Sequence, residues 1–240
     1  MNIFAFCIIL IFVYMTTVFL FALWLKDNSI VDVAYGLAFI LLGWAGLLVF
    51  GSGHTRQWLI VMLVTIWGLR LAVHIFLRKQ GEGEDFRYRQ WRESWGKTFV
   101  WRSFLLVFML QGTVIFLVAL PVLLVLNDPG GRIALVDLVG VAVWMAGFGF
   151  EAIGDWQLLQ FKRNPANQGK IIRHGLWRYT RHPNYFGEAV LWWGIFLIAI
   201  DARYGIVAII SPLLIDFLLL KVSSIPMLEG KYEDNPEFIA

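Results

Sequence analysis

Long uncharged apolar runs constrain this chain more than any other feature. They lie near residues 3–25, 30–50, 57–78, 103–126, 133–160, 185–200 and 204–222. Most approach the roughly 20 residues a helix needs to cross a hydrocarbon core of about 30 Å. In lipid an unpaired backbone amide or carbonyl is costly, so such a segment closes its hydrogen bonds within itself as a helix. The pattern predicts an all-α, polytopic integral membrane helical bundle with about seven transmembrane helices. The fifth run is longer than a bilayer requires and is expected to project beyond it. The sixth is short and starts just after Pro183, a residue suited to a first helical turn.

Composition points the same way. A hydrophobic fraction of 59% and a mean hydropathy of +0.70 exceed what a globular core absorbs, and the 15% of charged residues fall in short clusters. The first run, from Asn2 to Leu25, has no basic stretch before it and no small-residue cleavage pattern after it, so it is expected to be a retained helix and not a removed leader. Cys7 is the single cysteine, which excludes an intrachain disulfide and a thiolate-held metal cluster. The pI near 9.1 reflects basic loops on a chain of net charge +3 and is not read as nucleic-acid binding. No repeat or Gly/Ser linker is visible, so residues 1–240 read as one membrane domain.

Two connections carry most of the cations. One holds Arg78, Lys79, Arg87, Arg89, Arg92, Lys97 and Arg102; the other holds Lys162, Arg163, Lys170, Arg173, Arg178 and Arg181. With seven spans both lie on one side, together with Lys26, while Arg56, Arg132 and Arg203 fall on the other. The positive-inside rule then puts both basic connections in the cytoplasm.

Ionisable groups within spans are costly and usually face the bundle interior, which makes each a functional candidate. Asp32, Arg70, His74, Glu151, Asp155, Glu188 and Asp216 stand in or near spans. Arg70, His74 and Arg78 recur every four residues, so they share one helical face and could line a polar cavity; alternatively Arg78 snorkels to the interface and His74 is a packing residue. Glu151, Asp155 and Lys162, four and seven residues apart, form a stripe where the fifth helix leaves the membrane. They suit ribose or amide groups and a phosphate, or else an ion-pair network.

The stretch GKIIRHGLWRYTRHPNYFGE, Gly169 to Glu188, is the densest. It has no acid until its last residue. Lys170, Arg173, Arg178, Arg181, His174 and His182 are cationic donors, and Trp177, Tyr179 and Tyr185 are flat surfaces with polar tips. A phosphorylated aromatic ligand fits such a set, and free N–H groups where a helix begins after Pro183 would add to anion binding. A positive-inside loop with an aromatic belt reads equally well for any single residue.

GLWRYTRHPNYFGE followed by LWWG, with GEDFRYRQWRESWG at Gly83–Gly96 and VSSIPMLEGKY at 222–232, resembles the steroid 5α-reductase C-terminal superfamily. The likeness is to its bacterial, uncharacterised membrane branch, a group related to sterol reductases and isoprenylcysteine carboxyl methyltransferases. The resemblance implies substrate-side helices over 1–126, and cofactor-binding helices and loops over 127–240. It implies an NADPH site facing the cytoplasm of a bacterial inner membrane, and reduction of a carbon–carbon double bond conjugated to a ketone. As carried over, the cofactor side comprises Arg87, Tyr88, Glu151, Asp155, Lys162, Arg173, Arg178, Arg181, His182, Asn184, Tyr185 and Glu188. The steroid enzymes' Gln-Glu pair on the second helix, and their Tyr after a His on the third, are missing: Ile75 follows His74, and the second helix offers Asp32 with Tyr35.

The leading expectation is therefore an NADPH-dependent reductase of an apolar enone or steroid-like lipid, an oxidoreductase with Asp32, Tyr35 and His74 as the set that could stabilise an enolate oxygen. Two alternatives stand beside it. One is methyl transfer from S-adenosylmethionine at the same pocket, the other a non-enzymatic protein whose basic loops bind lipid headgroups.

Overall fold

The computed structural model describes residues 2–81 and 83–222, and all regular structure among them is helical. It divides into two compact units, Met1–Arg132 and Ile133–Ala240. Six helical stretches are long and apolar enough to cross a membrane: Ile3–Leu25, Ile30–Phe50, Thr55–Lys79, Phe86–Val118, Leu135–Arg163 and Gly205–Val222. The chain is thus a multi-pass membrane helical bundle. The run expected over 185–200 forms a helix of 17 residues, Pro183–Ala199, shorter than those six.

The first unit contains α1 (Ile3–Leu25), α2 (Ile30–Phe50), α3 (Thr55–Lys79), α4 (Phe86–Trp95), α5 (Phe99–Ser103), α6 (Leu110–Val118) and α7 (Leu120–Leu126). Helices α2 and α3 pack closely because glycines face each other: a Cβ at Gly36 would lie 2.6 Å from the Gly68 carbonyl oxygen. Small residues at such a crossing bring backbones into van der Waals contact, which drives helix association where lipid removes the usual hydrophobic gain. Trp67 meets Phe39 edge-on at 5.3 Å beside that crossing, and Tyr35 packs on Phe39 at 5.1 Å.

The connection after α3, expected as a loop, is largely helical. An Asp85 side chain accepting from the Arg87 amide caps α4. Tyr88, Trp91, Arg92 and Trp95 form its more buried face, while Phe86, Arg89, Gln90, Glu93 and Ser94 are exposed. That two-faced pattern is the helical signal in a segment dense with charge. A π-helical stretch, Phe104–Met109, links α5 to α6. At the other end of α3, buried Gln57 donates to the carbonyls of Val125, Leu126 and Asp128, and its Oε1 accepts from the amides of Ser52 and Gly53. It satisfies terminal carbonyls of α7 and ties down the α2–α3 turn. Arg56, counted from the sequence as a flanking charge, is 5% exposed and donates to the Arg132 carbonyl.

The second unit contains α8 (Leu135–Arg163), α9 (Pro183–Ala199) and α10 (Ile210–Phe217), the last extended by 3-10 turns at Gly205–Ile209 and a π-helical end at Leu218–Val222. The 29 residues of α8 make it about 43 Å long, beyond the hydrocarbon thickness, as its run length predicts. Buried Asp137 accepts from the Ala134 amide and so closes the start of α8. Helices α8 and α9 run antiparallel along a glycine seam. Gly140, Gly147 and Gly154 repeat every seven residues on one face of α8, and Gly187 and Gly194 answer on α9. A Cβ at Gly147 would lie 2.4 Å from the Leu191 amide nitrogen, and one at Gly187 would lie 2.3 Å from that of Glu151.

Candidate functional site

In the second unit, a cavity of about 730 Å³ opens where α8 ends. Its wall runs from Leu158, Phe161, Lys162 and Arg163 through Asn164–Pro165 and Asn167–Arg173 to Trp177, Arg181 and His182. The size falls within the range of about 300–1,000 Å³ typical of small-molecule sites. Among the described residues five cations line it, Lys162, Arg163, Lys170, Arg173 and Arg181, and none of the described lining residues is Asp or Glu. Phe161, Trp177 and His182 add flat surfaces.

The loop that closes the cavity is held by a few directed contacts. Gly169 has φ +77° and Gly175 φ +62°, the left-handed region in which glycine carries no Cβ penalty. At Gly175 the backbone also passes close to Gln157, where a Cβ would lie 2.5 Å from Oε1. That same Oε1 accepts from the Leu176 amide at 2.9 Å, and the Trp177 indole donates to the Gly154 carbonyl at 3.0 Å. These bonds anchor the 3-10 turn Gly175–Arg178 on α8, and Ile172, just before it, is buried on the cavity wall.

The sequence-predicted cofactor residues of this unit separate into two groups. Lys162, Arg173, Arg181 and His182 line the cavity; Arg178 is exposed on the 3-10 turn and is not part of the wall. Glu151, Asp155, Asn184, Tyr185 and Glu188 also lie off the wall. Glu151 and Asp155 are buried in α8, and Asn184 Nδ2 donates to Asp155 Oδ1 at 3.0 Å. The first turn of α9 is packed onto α8, with the Asn184 amide nitrogen 3.1 Å from where a Gly154 Cβ would be. The cap residue His182 is therefore the part of that helix start that reaches the cavity, and its ring stacks on Tyr185 at 5.5 Å. Lys170, one of the cationic donors the sequence offers, also lines the cavity, and so does Arg163, a cation of the same connection that the sequence does not single out.

The first unit holds a separate polar cluster. Asp32 Oδ1 accepts from the Tyr88 hydroxyl at 2.8 Å, and Oδ2 pairs with Arg87 at 3.2 Å. Asp85 Oδ1 accepts from the amide and Nε of Arg87, both at 3.0 Å. The Asp85 amide donates to Ser29 Oγ, whose hydroxyl donates to Asp27, and Asp27 pairs with Lys79. Glu84 takes Arg92 in a two-pronged pair, at 3.0 and 2.7 Å, and accepts from the Asn28 amide at 2.9 Å. The α3–α4 connection is thereby bound to the α1–α2 turn.

Two acids of this cluster, Asp27 and Asp85, are perturbed. Burial pushes the Asp27 carboxyl up, but bonds from Lys79 and Ser29 outweigh it and hold the group below the usual carboxylate range. Burial likewise acts on Asp85, and the side chain and amide of Arg87 bring its carboxyl below that range. Asp32, Arg87 and Tyr88, assigned from the sequence to two different roles, are thus one hydrogen-bonded group. Tyr35 and His74 are half-buried on α2 and α3. The motif at 222–232 lies, from residue 223 on, outside the described residues.

The chain is 36% identical over 101 residues to "3-oxo-5-alpha-steroid 4-dehydrogenase 1" of Mus musculus, an alignment covering 42% of this chain and 38% of that protein. It is 24% identical over 206 residues to "Uncharacterized protein C594.04c" of Schizosaccharomyces pombe, covering 73% of this chain and 58% of the relative. The chain therefore spans less than two thirds of either relative. No solved structure matches it. A family model described as "Protein of unknown function (DUF1295)" matches residues 18–240, and the chain belongs to that family.

Proposed function

We propose that this protein is a membrane-embedded reductase that uses NADPH to saturate a carbon–carbon double bond conjugated to a ketone in an apolar, steroid-like substrate. The observation that carries the reading is the cavity of about 730 Å³ whose described lining residues include five cations, three flat rings and no acid. NADPH presents a pyrophosphate, a 2′-phosphate and two planar rings, which need cationic and stacking partners together. S-adenosylmethionine has no phosphate and bears a positive charge, so the same wall suits it poorly. The name of the mouse relative, a 4-dehydrogenase of a 3-oxo-5-alpha-steroid, agrees with this reading.

In this reading Lys162, Arg163, Lys170, Arg173 and Arg181 take the phosphates, and Trp177 and Phe161 bear on the rings. When bound, NADPH would supply a hydride for the β-carbon of the enone and be left as NADP+, and a proton taken up from water at the α-carbon would complete the saturated ketone. As the hydride arrives, electron density accumulates on the ketone oxygen, and a preorganised hydrogen-bond donor facing that oxygen lowers the barrier. Tyr35 and His74 are the donors we assign. Asp32 acts through Arg87 and Tyr88, holding that part of the first unit in place. In this reading the cavity faces the cytoplasm of a bacterial inner membrane, which the positive-inside rule supports through the cations around it.

Thermal-shift titration of the purified chain with NADPH, NADH and S-adenosylmethionine tests the cofactor. A ligand that binds only the folded state adds about 2.7 kcal/mol at a hundred times its Kd. NADPH is expected to stabilise most, and its absorbance to fall when an apolar enone is added. Stabilisation by S-adenosylmethionine alone would replace the reductase by a methyltransferase.

A further inference from the structure

We propose that the corner between α4 and α5, at Lys97, Trp101 and Arg102, is a binding site for an anionic phospholipid on the outer surface of the bundle. The inference is independent of the reductase reading and concerns a different unit.

Within about two turns the exposed surface here changes character. Leu105, Leu106 and Leu110 are 39%, 55% and 58% exposed along a stretch apolar enough to span a membrane. Their surroundings are therefore acyl chains. Just before them come Val100 and Trp101, 52% and 65% exposed. An indole so placed has an apolar body for the chains and an N–H for the headgroup layer, which is where tryptophan concentrates in membrane proteins. Lys97 lies one turn earlier and Arg102 next to Trp101, and both are exposed. The order along the surface is acyl-facing leucines, an indole, then cations, matching that of a phospholipid from chain to phosphate.

The cations of this segment are not equivalent. Arg87 is taken by Asp32 and Asp85, and Arg92 by Glu84 with its guanidinium 4.1 Å above the Phe99 ring. Arg89 donates to the Glu84 carbonyl. The side chains of Lys97 and Arg102 make no hydrogen bond or ion pair among the described residues. The acid of α4 is Glu93, four residues before Lys97. Asp32, Asp85 and Glu84 are committed to Arg87 and Arg92, and the lone Glu93 balances at most one of the two flexible cations beside the interfacial indole, so a lipid phosphate is the complementary partner. A zwitterionic headgroup supplies the same phosphate but adds a cation that the site repels, so the net negative lipid is preferred.

Native mass spectrometry of the full chain, purified in detergent and titrated with phosphatidylglycerol or phosphatidylcholine, tests this. The wild type should retain phosphatidylglycerol with a preference on the order of tenfold. The double variant K97Q/R102Q should lose most of that preference, and K97R/R102K, which keeps the charge, should retain it. Arg203→Gln, an exposed cation of the other unit, should leave it unchanged. Equal retention of both lipids by the wild type, survival of the preference in K97Q/R102Q, or its loss in K97R/R102K or Arg203→Gln would each overturn the site.

Discussion

The Tyr88 hydroxyl donates to the Asp32 carboxylate at 2.8 Å, joining α4 to the start of α2 through a group that Arg87 neutralises from the other side. Tyr88 is 5% exposed, so its hydroxyl has little access to water if the acceptor is removed. Asp32→Ala should therefore cost about 1–3 kcal/mol in unfolding free energy, by leaving a buried donor and a guanidinium short of a partner. Tyr88→Phe should cost about 1 kcal/mol, since Arg87 still serves the carboxylate. Tyr35→Phe keeps its ring packing on Phe39 and should lower enone turnover with a stability change of about 1 kcal/mol or less. Denaturant titration in detergent, with turnover measured in parallel, separates the three.

The Asp27 and Asp85 carboxyls are both held below their ordinary range. A group whose folded-state pKa is depressed contributes stability above its unfolded pKa of about 4, and that contribution is lost as pH falls through the folded value. The melting temperature should thus be flat near neutrality with respect to these groups and decline below about pH 4. Asp27→Asn should lower the neutral-pH plateau and shrink the acid-dependent fall. A plateau and fall both unchanged in Asp27→Asn would remove Asp27 from the account.

Glycine positions on α8 and α9 should differ sharply. Gly187→Ala puts a methyl 2.3 Å from the Glu151 nitrogen and 2.5 Å from the Gly147 oxygen, both backbone atoms, so the helices must separate. A loss of about 3 kcal/mol or more is expected. At Gly149 an added Cβ meets nothing within 4 Å, and alanine should be neutral or stabilising by up to about 1 kcal/mol through helix propensity. Thermal unfolding of the two single variants gives the comparison.

Arg181 lines the cavity and Arg178 does not, although the two are three residues apart in one basic motif. Arg181→Ala should weaken NADPH binding about tenfold or more, as loss of a charge-assisted bond implies, while Arg178→Ala should change it by less than about threefold. Isothermal titration with NADPH and NADH also tells which phosphate is met. A larger loss for NADPH than for NADH points to the 2′-phosphate, and an equal loss points to the pyrophosphate.

The helical architecture was readable because the membrane removes alternatives. A long uncharged run has to satisfy its own backbone, so its length and composition carry the structure without reference to the rest of the chain. The charges of helix α4 conceal it, although Tyr88, Trp91, Arg92 and Trp95 recur at helical spacing among them. Charge density marked the segment as a loop and hid the periodicity.

The basic run from Gly169 to Glu188 likewise marked a site by composition, because cations without acids suit an anionic ligand wherever they point. Which of them face one cavity depends on the left-handed turns at Gly169 and Gly175 and on anchors from Gln157 and Trp177. In an irregular loop no fixed period links a residue's number to its direction, so Arg181 and Arg178 could not be told apart from the letters alone. The same holds for Asp32: its place in an apolar run announced a costly charge, but only folding brought Arg87 and Tyr88, more than fifty residues later, to its two oxygens. Local chemistry written along the chain thus determined the membrane helices and the cationic character of the site. Long-range packing decided which charges neutralise one another and which remain turned toward a ligand.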